Sequence, residues 1–278
     1  MLNLPPAVWD CKRLAAEFLQ GVYMRIVRYQ TGDGGPRCGW IQDDQVGEIE
    51  GDLFGTYMRR EAKTPVSDVK LLAPVIPSKI ICVGRNYIEH AKERGNDVPK
   101  IPLIFLKPPS SILGPGEAII LPPQSKQVEH EAELVVVIGK RGRNITSERA
   151  ADYILGYTVG NDVTARDLQR TDEQWTRAKG FDTFCPFGPW IDTEFDMSDA
   201  VITSRVNDQP RQMASTRDVV FGVPTLIAYI SSVMTLEPGD LIFTGTPAGV
   251  GPLKAGDEVV VEIEGLGVLR NPVRAESK

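Results

Sequence analysis

The 278-residue chain is short of several things, and each shortage closes off a class of protein. Its four cysteines, Cys11, Cys38, Cys82 and Cys185, stand far apart and form no Cys-x-x-Cys pair. That spacing argues against a zinc knuckle and against a disulfide framework, and reads as reduced thiols, mostly core packing. No uninterrupted apolar stretch approaches the roughly 20 residues that a membrane helix requires. The first residues lack the basic, then apolar, then small order of a secretory signal. A cytoplasmic chain with no membrane partner is the expectation. With a formal net charge of −6 and its Lys and Arg scattered, the chain offers no basic surface to nucleic acid. Histidine is scarce, with His90 and His130 the two in the chain. There is no internal repeat and no low-complexity segment.

What is present is ordinary for a globular protein: 42% hydrophobic and 24% charged residues. The length suits one large domain plus a small one. Residues 7–21 carry Trp9, Leu14, Phe18 and Leu19 at near-helical spacing, so residues 1–23 are expected to form a helical extension. Met24 opens an alternating stretch, and short strand candidates separated by Gly- and Asp-rich turns mark residues 24–73 as a small N-terminal domain. Pro74 and Pro77 then open a larger domain, residues 74–278. Its strand candidates are 79–83, 103–107, 118–121, 131–138, 201–206, 241–244 and 258–263, and its clearest helix starts at Pro224 and ends near Met234. Strands do not alternate with long helices, which disfavours a doubly wound parallel sheet. The chain reads as α+β and rich in strand.

Two carboxylates in Glu131-Ala132-Glu133 head the apolar run 134–138. Side chains alternate along a strand, so a spacing of two points both acids the same way, as a strand would grip a hard cation. The same spacing also fits the solvated face of an antiparallel sheet. Beyond the glutamates, however, both faces of the run are apolar, and acids at the mouth of a buried strand need a cation or a proton. A second apolar stretch, 154–161, ends at Asp162, which makes three convergent oxygens plausible. His90 and Glu93, three apart, share a helical face, where a carboxylate orients an imidazole and raises its basicity. That pairing suits a general base acting on water, and equally an idle surface pair. Lys179, in Ala178-Lys179-Gly180-Phe181-Asp182, is by residue type a surface lysine. The glycine-rich residues 245–251 lack the Gly-Lys-Ser/Thr ending of a phosphate loop.

Several motifs together resemble the fumarylacetoacetate hydrolase family and occur in its order. They are Gly84-Arg85-Asn86-Tyr87 with His90 and Glu93, Phe105-Leu106-Lys107-Pro108, His130-Glu131-Ala132-Glu133-Leu134, Asn161-Asp162-Val163-Thr164-Ala165-Arg166-Asp167-Leu168-Gln169, Lys179-Gly180-Phe181-Asp182, and Thr244-Gly245-Thr246-Pro247-Ala248-Gly249. The resemblance spans residues 79–272. It implies a mixed β-sandwich-like roll with a small N-terminal α/β domain, usually a homodimer. It also implies Mg²⁺ or Mn²⁺ on Glu131, Glu133 and Asp162, and an acid–base dyad of His90 and Glu93. Arg85, Arg166, Gln169, Lys179 and Thr246 are then expected to face a small 2-oxo acid substrate, with the Lys179 ammonium across from the metal.

Three reactions would share such a site: hydrolysis of the C3–C4 bond of a 2,4-dioxo acid of the acylpyruvate or fumarylpyruvate type, decarboxylation of an oxaloacetate-type acid, and isomerisation of a hydroxydienedioate. Hydrolysis is the expectation, because the dyad is what an attacking water needs. A non-catalytic protein that binds metal and oxo acid is the reading from another class, and the intact dyad argues against it.

Overall fold

The computed structural model describes residues 24–93, 95 and 97–276; the helix expected at 7–21 lies outside the described residues. The apolar run forms the strand Ala132–Ile138, buried along its whole length. On one face Val135 and Val137 pack with Ile80, Cys82, Cys185, Phe187, Leu241 and Phe243. On the other, Val136 and Ile138 meet Leu226, Ile227 and Ile230 of the helix Val223–Val233, while Leu134 meets Ile202, Val261 and Leu269. Fully burying one such aliphatic side chain stabilises by about 1.5–3 kcal/mol, so this strand anchors the roll.

Among the described residues the main sheet runs, in spatial order, through Tyr57–Arg59, Gln45–Gly51, Arg37–Gln42, Arg25–Gln30, Cys185–Asp192, Ile154–Asn161, Ala132–Ile138, Leu241–Phe243, Ile80–Gly84 and Leu103–Lys107. A second, five-stranded sheet covers part of it: Ile119–Leu121, Gly267–Ala275, Glu258–Ile263, Val201–Val206 and Gln209–Ser215. This is the expected mixed sandwich-like roll. The strands expected at 103–107, 201–206 and 258–263 have those bounds, and Pro224 sits in the first turn of its helix. Cys82 and Cys185 are buried in the core as free thiols, and Cys38 is half-buried and free.

Two differences have physical causes. The strand expected at 131–138 divides at Glu131, because Asn161 Oδ1 takes the Glu131 N–H at 2.9 Å and Gln212 Oε1 takes the Ala132 N–H at 3.0 Å. Residues before the break, Val128–His130, pair instead with Thr164–Ala165 and Gly251–Pro252 in a small separate sheet. Between residues 24 and 73 there are strands and one 3-10 turn, Val66–Asp68, and no α-helix. The expected α/β character rests there on that turn alone, since the apolar alternation throughout has the two-residue period of a strand. These N-terminal strands continue the main sheet through Arg25 opposite Asp192 and Ile26 opposite Ile191.

Candidate active site

Sheet register assembles the acids. Ala132 pairs with Asn161 and Glu133 with Gly160, and one step further the Asp162 N–H donates to the Glu131 carbonyl at 2.9 Å. Leu241–Phe243 and Ile80–Gly84 run parallel to each other and antiparallel to Ala132–Ile138, so their carboxyl ends meet its amino end at one edge of the sheet. Glu131, Glu133 and Asp162 all arrive there buried, and their ligand oxygens lie within 4.8 Å of one another. Gly245 follows one of those carboxyl ends at φ +100, a backbone that favours glycine, and its N–H donates to Glu133 Oε2 at 2.7 Å.

Three buried carboxylates this close repel one another, and the chain answers with cations. Lys179 Nζ donates to Glu131 Oε2 at 2.7 Å and to Asp162 Oδ2 at 2.6 Å. Lys107, whose side chain is fully buried, reaches Asp162 Oδ1 at 2.5 Å and the Val163 carbonyl at 3.1 Å. Arg166 bonds Glu131 and, at 2.8 Å, Glu129. Removing one partner of such a buried pair costs about 3–5 kcal/mol, because the other charge stays behind. Burial pushes the Glu131 carboxyl up, but Lys179 and Arg166 outweigh it and hold it well below the usual range. Burial also pushes Lys179 down, and the Asp162 and Glu131 carboxylates overturn that, leaving it raised. Glu133 forms no ion pair among the described residues, and the pull of Lys179 on it is outweighed. Burial, with Asp162 and Glu131 adding repulsion, raises its carboxyl well above the usual range.

A cavity of about 430 Å³ opens over these acids. It brings together every residue expected at the site: Arg85, His90, Glu93, Glu131, Glu133, Asp162, Arg166, Gln169, Lys179 and Thr246. His90 lies on the helix Ile88–Glu93, buried, with Nδ1 3.4 Å from Glu93 Oε2. Glu93 also accepts from the Gly249 N–H at 3.1 Å, which ties the helix to the glycine-rich loop. Lys179 stands on the same side as the acids, bridging two of them. Thr246 Oγ1 donates to the Ala132 carbonyl at 2.9 Å and accepts from Gln212 Nε2 at 2.7 Å.

Sequence reasoning left out Lys107, Glu129, Arg170, Trp175 and Gln212. Lys107 stood in a quoted motif without a role, since lysine ordinarily signals surface. Gln212 comes from the second sheet, and its Oε1 accepts from the Ala132 N–H and the Ser204 hydroxyl while its Nε2 bonds Thr246 and the Pro247 carbonyl. Nothing near it in sequence signals that hub.

A strand-rich roll gathers three carboxylates that could hold a metal ion, a lysine and a histidine–glutamate pair in one cavity. Residues 79–274 match the family described as Fumarylacetoacetate (FAA) hydrolase C-terminal, and residues 24–74 match Rv2993c-like, N-terminal. The chain belongs to the fumarylacetoacetate hydrolase family, whose members are enzymes. It is 48% identical over 222 residues to the human mitochondrial oxaloacetate tautomerase FAHD2A, an alignment covering 75% of this chain and 71% of that protein. The solved structure of 2-hydroxyhepta-2,4-diene-1,7-dioate isomerase from Mycobacterium marinum has 45% identity and a TM-score of 0.85, covering 92% of this chain and 100% of that one. That of maleylpyruvate hydrolase from Sphingobium sp. SYK-6, in complex with manganese(II) and pyruvate, has 33% identity and a TM-score of 0.76, covering 91% and 100%. No helix among the described residues is long and apolar enough to cross a membrane.

Proposed function

We propose that the chain is a divalent-metal-dependent enzyme that hydrolyses the C3–C4 bond of a 2-oxo acid bearing a second carbonyl at C4. The observation that carries this reading is the buried carboxylate trio sharing one cavity with the His90–Glu93 pair. The donor set fits a hard cation: all ligand atoms are oxygens, they are buried and clustered, and one of the acids, Glu133, forms no ion pair among the described residues. Glu131, Glu133 and Asp162 would hold Mg²⁺ or Mn²⁺, which when bound supplies Lewis-acid polarisation of substrate oxygens.

The rest falls to the side chains. His90, oriented by Glu93, takes a proton from water as the water oxygen attacks C4. The C3–C4 bond breaks, its electron pair passes to C3 and is shared with the 2-oxo oxygen, and a proton delivered from His90 to C3 completes a 2-oxo acid and a carboxylic acid. Lys179 and Arg166 place positive charge where that negative charge develops, and so favour the transition state over the ground state. Gln169 and Thr246 orient the substrate. We place the enzyme in the cytoplasm, since no apolar stretch of the sequence approaches a membrane span, and as a homodimer, following the family resemblance.

A second reading is supported by the 48% identity to an oxaloacetate tautomerase and the 45% identity to an isomerase. In it His90 removes a proton from C3 and the proton returns elsewhere on the substrate, with no C–C bond cleaved; an oxaloacetate-type decarboxylation would likewise need no activated water. Purified protein with Mn²⁺, or with chelator, is to be assayed by NMR against fumarylpyruvate, acetylpyruvate and oxaloacetate in deuterated water. Chelator-sensitive cleavage to pyruvate and a second acid supports hydrolysis. Deuterium exchange at C3 without cleavage selects tautomerisation, and carbon dioxide release selects decarboxylation. No change in any of the acids overturns all three.

A further inference from the structure

Ala132 sits between two of the three clustered acids, and both of its backbone polar groups go to side chains instead of to a neighbouring strand. Its N–H donates to Gln212 Oε1 at 3.0 Å, and its carbonyl accepts from the Thr246 hydroxyl at 2.9 Å. Gln212 Nε2 donates in turn to Thr246 Oγ1 at 2.7 Å, which closes a ring of hydrogen bonds through Ala132, Gln212 and Thr246. The ring stands where the adjacent strand stops. Leu241–Phe243 pairs with Ala132–Ile138 only from Val135 to Val137, and beyond it the Thr244 N–H and hydroxyl reach the Leu134 carbonyl. Left open, a buried N–H and a buried carbonyl would each cost about as much as a lost hydrogen bond.

The amide that closes the ring has one orientation. A backbone N–H only donates, and the Pro247 carbonyl, 2.8 Å from Nε2, only accepts, so the amide oxygen and nitrogen cannot exchange places. The Ser204 hydroxyl at 2.9 Å and His130 Nδ1 at 3.1 Å close on the same oxygen. Gln212 comes from the outermost strand of the second sheet, Gln209–Ser215, in which it is the one fully buried residue. The pairing with Val201–Val206 passes over Arg211, with Ser204 opposite Gln212 and Arg205 opposite Pro210. A bulge of that kind bends a strand and re-aims its side chains. The glycine-rich loop is fitted to the bulge: Gly249 has φ +97, and a Cβ there would lie 2.1 Å from the Arg211 carbonyl oxygen.

We propose that Gln212 is a positioning residue for the carboxylate trio. It does not line the cavity. By fixing the two peptide planes on either side of Ala132, it sets the directions in which Glu131 and Glu133 leave the backbone, so that the outer sheet tunes how tightly the trio holds a cation. Groups that orient ligands from outside typically change metal affinity by about 10–100-fold. The proposal rests on the reading above that the trio binds a divalent cation.

The test titrates Mn²⁺ calorimetrically into wild type, Gln212→Met, Thr246→Val and Ser204→Ala. The melting temperature of each metal-free protein and the electron paramagnetic resonance spectrum of the bound Mn²⁺ are recorded alongside. Methionine keeps the length of glutamine and removes its hydrogen bonds. Thr246→Val opens the ring at another corner, and Ser204→Ala removes a bond to the same amide oxygen from outside the ring. Gln212→Met and Thr246→Val are each expected to weaken Mn²⁺ binding by about 10–100-fold and to alter the spectrum. Ser204→Ala is expected to lower the melting temperature and to leave affinity and spectrum as in wild type. Wild-type affinity in folded Gln212→Met, or in Thr246→Val should Gln212→Met not fold, overturns the positioning role while leaving the metal reading in place. An equal loss of affinity in Ser204→Ala overturns it too, since general loosening of the core would then account for the effect. Failure of wild type to bind Mn²⁺ overturns the proposal together with the reading it rests on.

Discussion

Lys179 and Asp162 form a buried ion pair, Nζ to Oδ2 at 2.6 Å, on a carboxylate that we propose as a ligand of the cation. On the proposed reading the lysine has two duties: it neutralises the acids before a cation arrives, and it places positive charge beside the substrate afterwards.

Lys179→Met keeps most of the side-chain volume and deletes the charge. Turnover is expected to fall on the order of 100-fold, the scale of losing one oxyanion donor, while Mn²⁺ binds more tightly, because the acids have lost a competing cation. Parallel kinetics and calorimetry check this. A variant with weakened Mn²⁺ binding would show that Lys179 supports the ligands instead of competing with the ion, and wild-type turnover would return it to a structural role.

Glu133 sets the pH dependence. Its carboxyl is raised by burial and by Asp162 and Glu131, so the folded chain keeps a proton that the unfolded chain has already released. From the ordinary glutamate range upward the unfolded state thus binds fewer protons, and this group's contribution makes metal-free stability fall as pH rises towards the raised value. A cation displaces the proton, so affinity should rise across the same window. The gap in melting temperature between Mn²⁺-loaded and metal-free protein is expected to widen as pH rises above the ordinary glutamate range. A constant or shrinking gap would remove Glu133 from the linkage.

His90→Ala is expected to spare metal binding and to lower hydrolysis by about 10²–10⁴-fold, the usual contribution of a positioned acid–base group. His90 pairs with Glu93 at 3.4 Å and is not one of the three clustered acids, which is the reason. Oxaloacetate decarboxylation, if present, should survive better, because losing carbon dioxide requires no activated water. Equal loss of both activities would mean that the pair positions substrate.

How much of this could be read from residues alone follows from which periods carry information. Glu131 and Glu133 were legible because a strand alternates, and Asp162 because an apolar run ended there. His90 and Glu93 were legible through helical spacing, although only a helix of six residues, Ile88–Glu93, presents them. The break at Glu131 was not, because side chains from Asn161 and Gln212 cause it, one from the neighbouring strand and one from the other sheet. Lys107 was not, because burial of a lysine depends on a carboxylate 55 positions away in sequence. That Arg85 lines the cavity without an ion pair among the described residues is likewise a property of the assembled fold.

Calorimetric titration of Mn²⁺ into wild type and Glu133→Gln tests the central claim most directly. Glutamine keeps the shape of a neutral carboxyl, the form that burial and the neighbouring acids favour at Glu133, so the variant should fold, while lacking one anionic ligand. One ion per chain is expected in wild type, with affinity in Glu133→Gln reduced by more than the roughly 10–100-fold typical of losing an outer partner. Unchanged affinity in a folded variant, or no binding by wild type, would contradict the assignment of Glu131, Glu133 and Asp162 as a metal centre.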